Sequence, residues 1–149
     1  MQIDIEYYNR FPLLLRKALI ERKVEFPDCL ERDYSDLSVY RGVKYSKQKD
    51  YIEKEDFLSN IERKQNNPMV PADSDDIRDY SCSCYTDLNE MRMQAKFPRR
   101  NHAIAKGNIK KEFGPIFIDA NTSHVNLYLF DNVDPSKEFE VIEKWEKNG

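Results

Sequence analysis

Three short strings carry side chains able to act together on one substrate: Tyr40-Arg41-Gly42, Ser81-Cys82-Ser83 and Glu138-Phe139-Glu140. Each falls where a β-strand is expected, in the order guanidinium, hydroxyl, carboxylate. A guanidinium presents a fixed fork of donors to phosphate. A hydroxyl can hold a sugar, and a carboxylate can stabilise positive charge developing at an anomeric carbon. That set is what cleaving a dinucleotide at its nicotinamide ribose requires. His124 adds a fourth candidate, because it shares a strand face with Asn126 and Tyr128, a polar-aromatic row able to line a cleft.

These strings must be held by regular elements. Gln2–Tyr7 alternates polar and apolar residues and predicts a short strand. Phe11-Pro12 then opens Leu13–Arg22, whose Leu and Ala positions recur at three-and-four spacing and predict an amphipathic helix. Leu37–Tyr45 is rich in β-formers, and strict alternation puts Arg41 on the face of Val39 and Val43. An arginine on such a face needs a partner or a cleft, since burying it alone is costly. Lys47–Gln65 predicts a charged helix with Tyr51, Ile52, Phe57, Leu58 and Ile61 as its buried stripe. Residues 66–79 predict a long loop; its Asp73, Asp75 and Asp76 lack the glycine and closing glutamate of an EF-hand, so no metal site is assigned.

Ser81 and Ser83 alternate with Cys82 and Cys84 along Tyr80–Tyr85, a strand of small side chains that can lie close beneath another strand or a ligand. Thr86-Asp87 offers an N-cap for a short helix ended by Pro98. Three strands follow, His102–Ile109, Gly114–Ala120 and Ser123–Phe130. After an Asp134-Pro135-Ser136 turn, a last strand runs Glu138–Trp145, with Glu138 and Glu140 on one face. The sum is an α+β fold: helices in the first two-thirds, packed on a mainly antiparallel sheet formed largely by the C-terminal half.

The bulk numbers fit one domain over residues 1–149. Hydrophobic residues make up 40% of the chain, with nine Tyr and eight Phe, enough for a core and far from a disordered composition. A net charge of −3 argues against generic nucleic-acid binding. The local exception is the run from Arg92 to Lys111, a basic face that could meet a small anion or an RNA strand. Three cysteines, an odd number, argue against a disulfide framework. No basic-then-apolar leader opens the chain and no apolar run is long enough for a bilayer, so a cytoplasmic protein is expected.

The three strings resemble the arginine–serine–glutamate signature of the ADP-ribosyltransferases. In that family one strand carries an aromatic-Arg or Arg-Gly element, a second a Ser-Thr-Ser-like element, and a late strand Glu-x-Glu followed by apolar residues. Here Cys82 stands where the threonine is usual. The resemblance implies an ADP-ribosyltransferase-like fold and NAD as the substrate, with no metal. It implies that Arg41 holds the pyrophosphate or the nicotinamide-side ribose, and that Ser81 or Ser83 positions that ribose. It makes Glu140 the carboxylate that stabilises the departing-nicotinamide state and Glu138 the group that orients or deprotonates a protein acceptor. The 104–130 segment resembles small bacterial or phage proteins.

Other classes stay open on the residues themselves. Glu138 and Glu140, with Glu143 and Glu146, also suit the solvated face of an edge strand. The protein would then be a non-enzymatic binder, an inhibitory or regulatory partner acting through its charged surface. A third alternative is nucleotide or RNA binding through Arg92–Lys111. Cys82 and Cys84 with His102 and His124 make a zinc site arithmetically possible, but Cys-x-Cys on a strand lacks the usual knuckle spacing, and buried inert thiols are expected instead.

Overall fold

The computed structural model describes residues 4–65 and 73–145. Six antiparallel strands form one sheet: β1 (Leu37–Lys44), β2 (Cys82–Tyr85), β3 (His102–Ile109), β4 (Ile116–Ile118), β5 (His124–Leu127) and β6 (Phe139–Lys144), in the order β4-β5-β2-β1-β3-β6. Four short helices accompany it: α1 (Ile5–Tyr8), α2 (Leu13–Ile20), α3 (Asn60–Gln65) and α4 (Leu88–Ala95). The fold is therefore α+β, and four of its six strands fall in the C-terminal third of the chain. The other two, β1 and β2, sit at the centre of the sheet.

Alternation sets the two faces. Val39, Val43, Cys82, Cys84, Ala105, Val125 and Leu127 are buried together with Phe57 and Phe139, whose rings lie 4.8 Å apart. A second core gathers Leu15, Ala18 and Leu19 of α2 with Phe11, Phe117, Tyr128 and Phe130. The three-and-four spacing of that α2 stripe is why the segment is helical. On the opposite face of the sheet α4 lies over β1. Asp87 caps α4 by accepting the Glu90 N–H at 3.1 Å, and Lys96 ends it with a left-handed φ of 54°. Gly42 permits the close approach, because a Cβ there would meet Met91 Cε at 3.2 Å.

Three expectations change. Ile5–Tyr8 is a turn of helix, not a strand, because the Asp4 carboxylate accepts the Tyr7 N–H at 3.1 Å and Tyr7 packs edge-on to Phe11 and Phe130; Gln2 and Ile3 lie outside the described residues. The long helix expected over Lys47–Gln65 is a turn, a 3-10 helix (Lys54–Phe57) and α3. Two reciprocal caps break it: Asp56 accepts from the Glu53 N–H at 3.0 Å, and Ser59 and Glu62 exchange bonds of 3.1 and 3.2 Å. Glu138 closes a 3-10 helix (Pro135–Glu138) before β6 begins, so it does not share a strand face with Glu140. Of the 66–79 loop, residues 66–72 lie outside the described residues. No described helix is long and apolar enough to cross a membrane.

Candidate functional site

Strands β1 and β2 pair only at Tyr40 opposite Tyr85. Beyond that point they part, whereas β1 keeps eight paired residues with β3 on its other side. The parting opens a cleft of about 560 Å3 in the middle of the sheet. Arg41, Gly42 and Val43 form one wall, Ser83 and Tyr85 the other, and residues from Lys49 to Arg63 and from α4 close its ends.

Arg41 stands where alternation puts it, on the face of Val39 and Val43, and is only 5% exposed. Among the described residues it has no carboxylate partner. Its Nε donates to the Asp56 carbonyl at 2.8 Å, its Nη1 to the Ser83 carbonyl across the cleft, and its Nη2 weakly to the Leu58 carbonyl at 3.4 Å. Three of its five N–H groups are thus used among the described residues, all on neutral carbonyl oxygens. Lys44, Arg63 and Arg99 also line the cleft. Its fifth cation, Lys49, is neutralised by Asp56 at 2.6 Å and lies 3.9 Å from Glu53. Among the described residues that leaves Glu55 as the one lining carboxylate without an ion pair. The cleft is therefore cationic, with Glu55 its single unpaired acid among the described residues.

Ser83 carries the site's hydrogen-bond relay. The β2–β5 register sets Ser83 opposite Asn126 and Tyr85 opposite His124, so all four project from one face. His124 Nε2 meets Ser83 Oγ at 2.9 Å, His124 Nδ1 meets Asp119 Oδ2 at 2.6 Å, and Arg78 Nε donates to Asp119 Oδ1 at 2.9 Å. Partial burial would raise the Asp119 pKa, but the hydrogen bonds from His124 and Arg78 outweigh it and hold the carboxyl below the ordinary aspartate range. Asp119 therefore remains an anion at neutral pH. That favours the tautomer with the proton on Nδ1, leaving Nε2 to accept from the serine. The Tyr85 ring lies 5.1 Å from the imidazole, and burial raises its phenol pKa, so it presents a neutral O–H side chain to the cleft.

The other sequence candidates fall elsewhere. Ser81 is buried; its Oγ donates to the Arg78 carbonyl at 2.9 Å and lies 3.1 Å from Asn126 Oδ1, beneath the relay and away from the cleft lining. Glu138 and Glu140 line a separate shallow groove with Lys106 and Lys137. Glu138 is paired with Lys110 at 3.4 Å. Glu140 stands opposite Lys106 on the edge strand, two strands away from β1. The structure joins the Ser83 and His124 side chains on one face of the sheet, sets Arg41 on the other face, where it reaches Ser83 only through the backbone carbonyl, and leaves both glutamates out. Sequence reasoning missed Asp119 and Glu55. Asp119 had a signal, an acid five residues before His124, just past the end of β4; Glu55 was hidden by the single long helix expected there.

Cys82 and Cys84 are buried on the face opposite His124, so alternation separates these thiols from that imidazole. The hydrogen bond with Cys82, together with burial, pushes the Cys84 thiol well above its ordinary value. The basic run is also dispersed: Arg92 pairs with Glu143, Lys110 with Glu138 and Lys111 with Asp33, while Arg99 turns into the cleft. Comparison of the chain with family models, curated proteins and solved structures finds no match.

Proposed function

We propose that the cleft between β1 and β2 binds NAD and cleaves it at the nicotinamide ribose, as the resemblance to ADP-ribosyltransferases suggests, passing ADP-ribose to a protein acceptor or to water. The observation that carries this reading is the parting of the two central strands, which leaves Arg41 and Ser83 lining one cationic cleft from opposite faces of the sheet. An anionic dinucleotide would be drawn to such a lining. The two N–H groups of Arg41 that no described residue accepts from suit a pyrophosphate oxygen. Ser83, backed by His124, suits a ribose hydroxyl.

In the reaction the glycosidic C–N bond breaks and nicotinamide departs with the bonding electrons. The cation left at the anomeric carbon needs a nearby anion. Glu55 takes that role here in place of Glu138 and Glu140, being the lining carboxylate that no described cation neutralises. An acceptor oxygen or nitrogen then adds to the carbon and loses its proton. Three cysteines without disulfides are consistent with a cytoplasmic setting.

The test is a thermal melt with increasing NAD, combined with an assay of released nicotinamide. At 100 times its Kd the ligand adds about 2.7 kcal/mol, a rise of roughly 5–10 °C for a chain of this size. Glu55→Gln should suppress nicotinamide release while keeping the melting shift. Glu138→Gln and Glu140→Gln should change neither. Absence of both shift and release at millimolar NAD overturns the reading.

A further inference from the structure

The Ser83–His124–Asp119 relay has a chemical consequence that needs no dinucleotide. A serine hydroxyl is a weak nucleophile until a base accepts its proton as it attacks, and the base works best when a carboxylate fixes its tautomer and steadies the imidazolium. All three conditions meet here: Ser83 Oγ to His124 Nε2 at 2.9 Å, His124 Nδ1 to Asp119 Oδ2 at 2.6 Å, and a half-buried hydroxyl that lines an accessible cleft. Arg78, 2.9 Å from the other carboxylate oxygen, keeps Asp119 turned toward the imidazole. Cross-strand register, not loop conformation, holds Ser83 and His124, so the pair is pre-organised.

We propose that Ser83 is a covalent nucleophile for esters that carry an anionic group, with His124 as its general base and Asp119 as the residue that positions His124. Ser83 Oγ attacks the ester carbonyl carbon and its proton passes to His124 Nε2. The tetrahedral adduct collapses, the carbon–alkoxide bond breaks, and the alcohol leaves with the proton that His124 held. Water then attacks the acyl-serine, giving its proton to the same nitrogen, and Ser83 is regenerated as the acid departs. The anionic preference follows from the lining, where Arg41, Lys44, Arg63 and Arg99 face one unpaired acid, Glu55.

The test is labelling of the full chain with a fluorophosphonate probe in the absence of NAD, read by intact mass and peptide mapping. Labelling forms an O–P bond at Ser83, expels fluoride and leaves the proton on His124. The expected result is one adduct, on Ser83, absent in Ser83→Ala. In His124→Gln, which keeps a polar group beside Ser83 but takes no proton, labelling should be at least about 100-fold slower. Asp119→Asn, which retains both reacting groups, should also slow it and gives a second reading if the glutamine variant does not fold. Hydrolysis of 4-nitrophenyl succinate should exceed that of 4-nitrophenyl acetate. A folded wild type with no adduct on Ser83, labelling unchanged in both relay variants, or a preference for the neutral ester overturns the proposal. Because NAD is absent, failure here leaves dinucleotide cleavage standing, and failure of nicotinamide release leaves this proposal standing.

Discussion

Arg41 has a structural role that stands apart from the proposed one. A cation 5% exposed would be costly if alone. Carbonyls of Asp56, Ser83 and Leu58 offset that cost, and their placement ties β1 to the 54–58 segment and to β2 across the gap. Arg41→Met removes all three donors and strands buried carbonyls, so it should cost about 2–4 kcal/mol in a denaturant titration. Asp119 makes a different prediction. Its native pKa lies below the unfolded value, so the unfolded chain takes up the proton first as pH falls. Its contribution is complete above about pH 4 and is lost as pH drops through the lower native pKa. Urea midpoints measured between about pH 5 and pH 2 should fall more steeply in the wild type than in Asp119→Asn.

Among the elements, the unequal pairing of β1 is what makes a site possible. On one side β1 is zipped to β3 over eight residues, and β3 in turn to β6. On the other side a single pair holds β1 to β2. The firm half depends on Gly107 of β3, where a Cβ would meet the Glu138 carbonyl oxygen at 2.4 Å and the Phe139 ring at 2.6 Å. Backbone and a buried ring cannot yield cheaply, so Gly107→Ala should destabilise by about 1–3 kcal/mol. Gly42→Ala should cost less, because its Cβ would press only on the end of Met91 at 3.2 Å and rest against Ala95 Cβ at 3.9 Å. Melting temperatures of the two variants, set side by side, check this difference.

For the whole molecule, charge is distributed against its average. The net charge is −3, yet cations dominate the central cleft. The acids that outnumber them overall lie mostly on other surfaces, several in ion pairs with the basic run of residues 92–111. A field of this form repels polyanions in general and admits a small anion locally. Under the proposed reading, that favours a dinucleotide or an anionic ester over a nucleic-acid strand as the cleft's occupant.

Local patterns were enough to read β1, α2, α4 and β3, because alternation, three-and-four spacing and caps act within one turn or one pleat. They also placed Arg41, Ser83 and His124 on strands. Strand order was out of their reach, since pairing β2 between β1 and β5 joins residues some 40 positions apart. That pairing brings His124 onto Ser83, and the separate pairing of β6 with β3 carries Glu140 to the far edge. A carboxylate's role depends on which side chains stand across from it, and only long-range register fixes that.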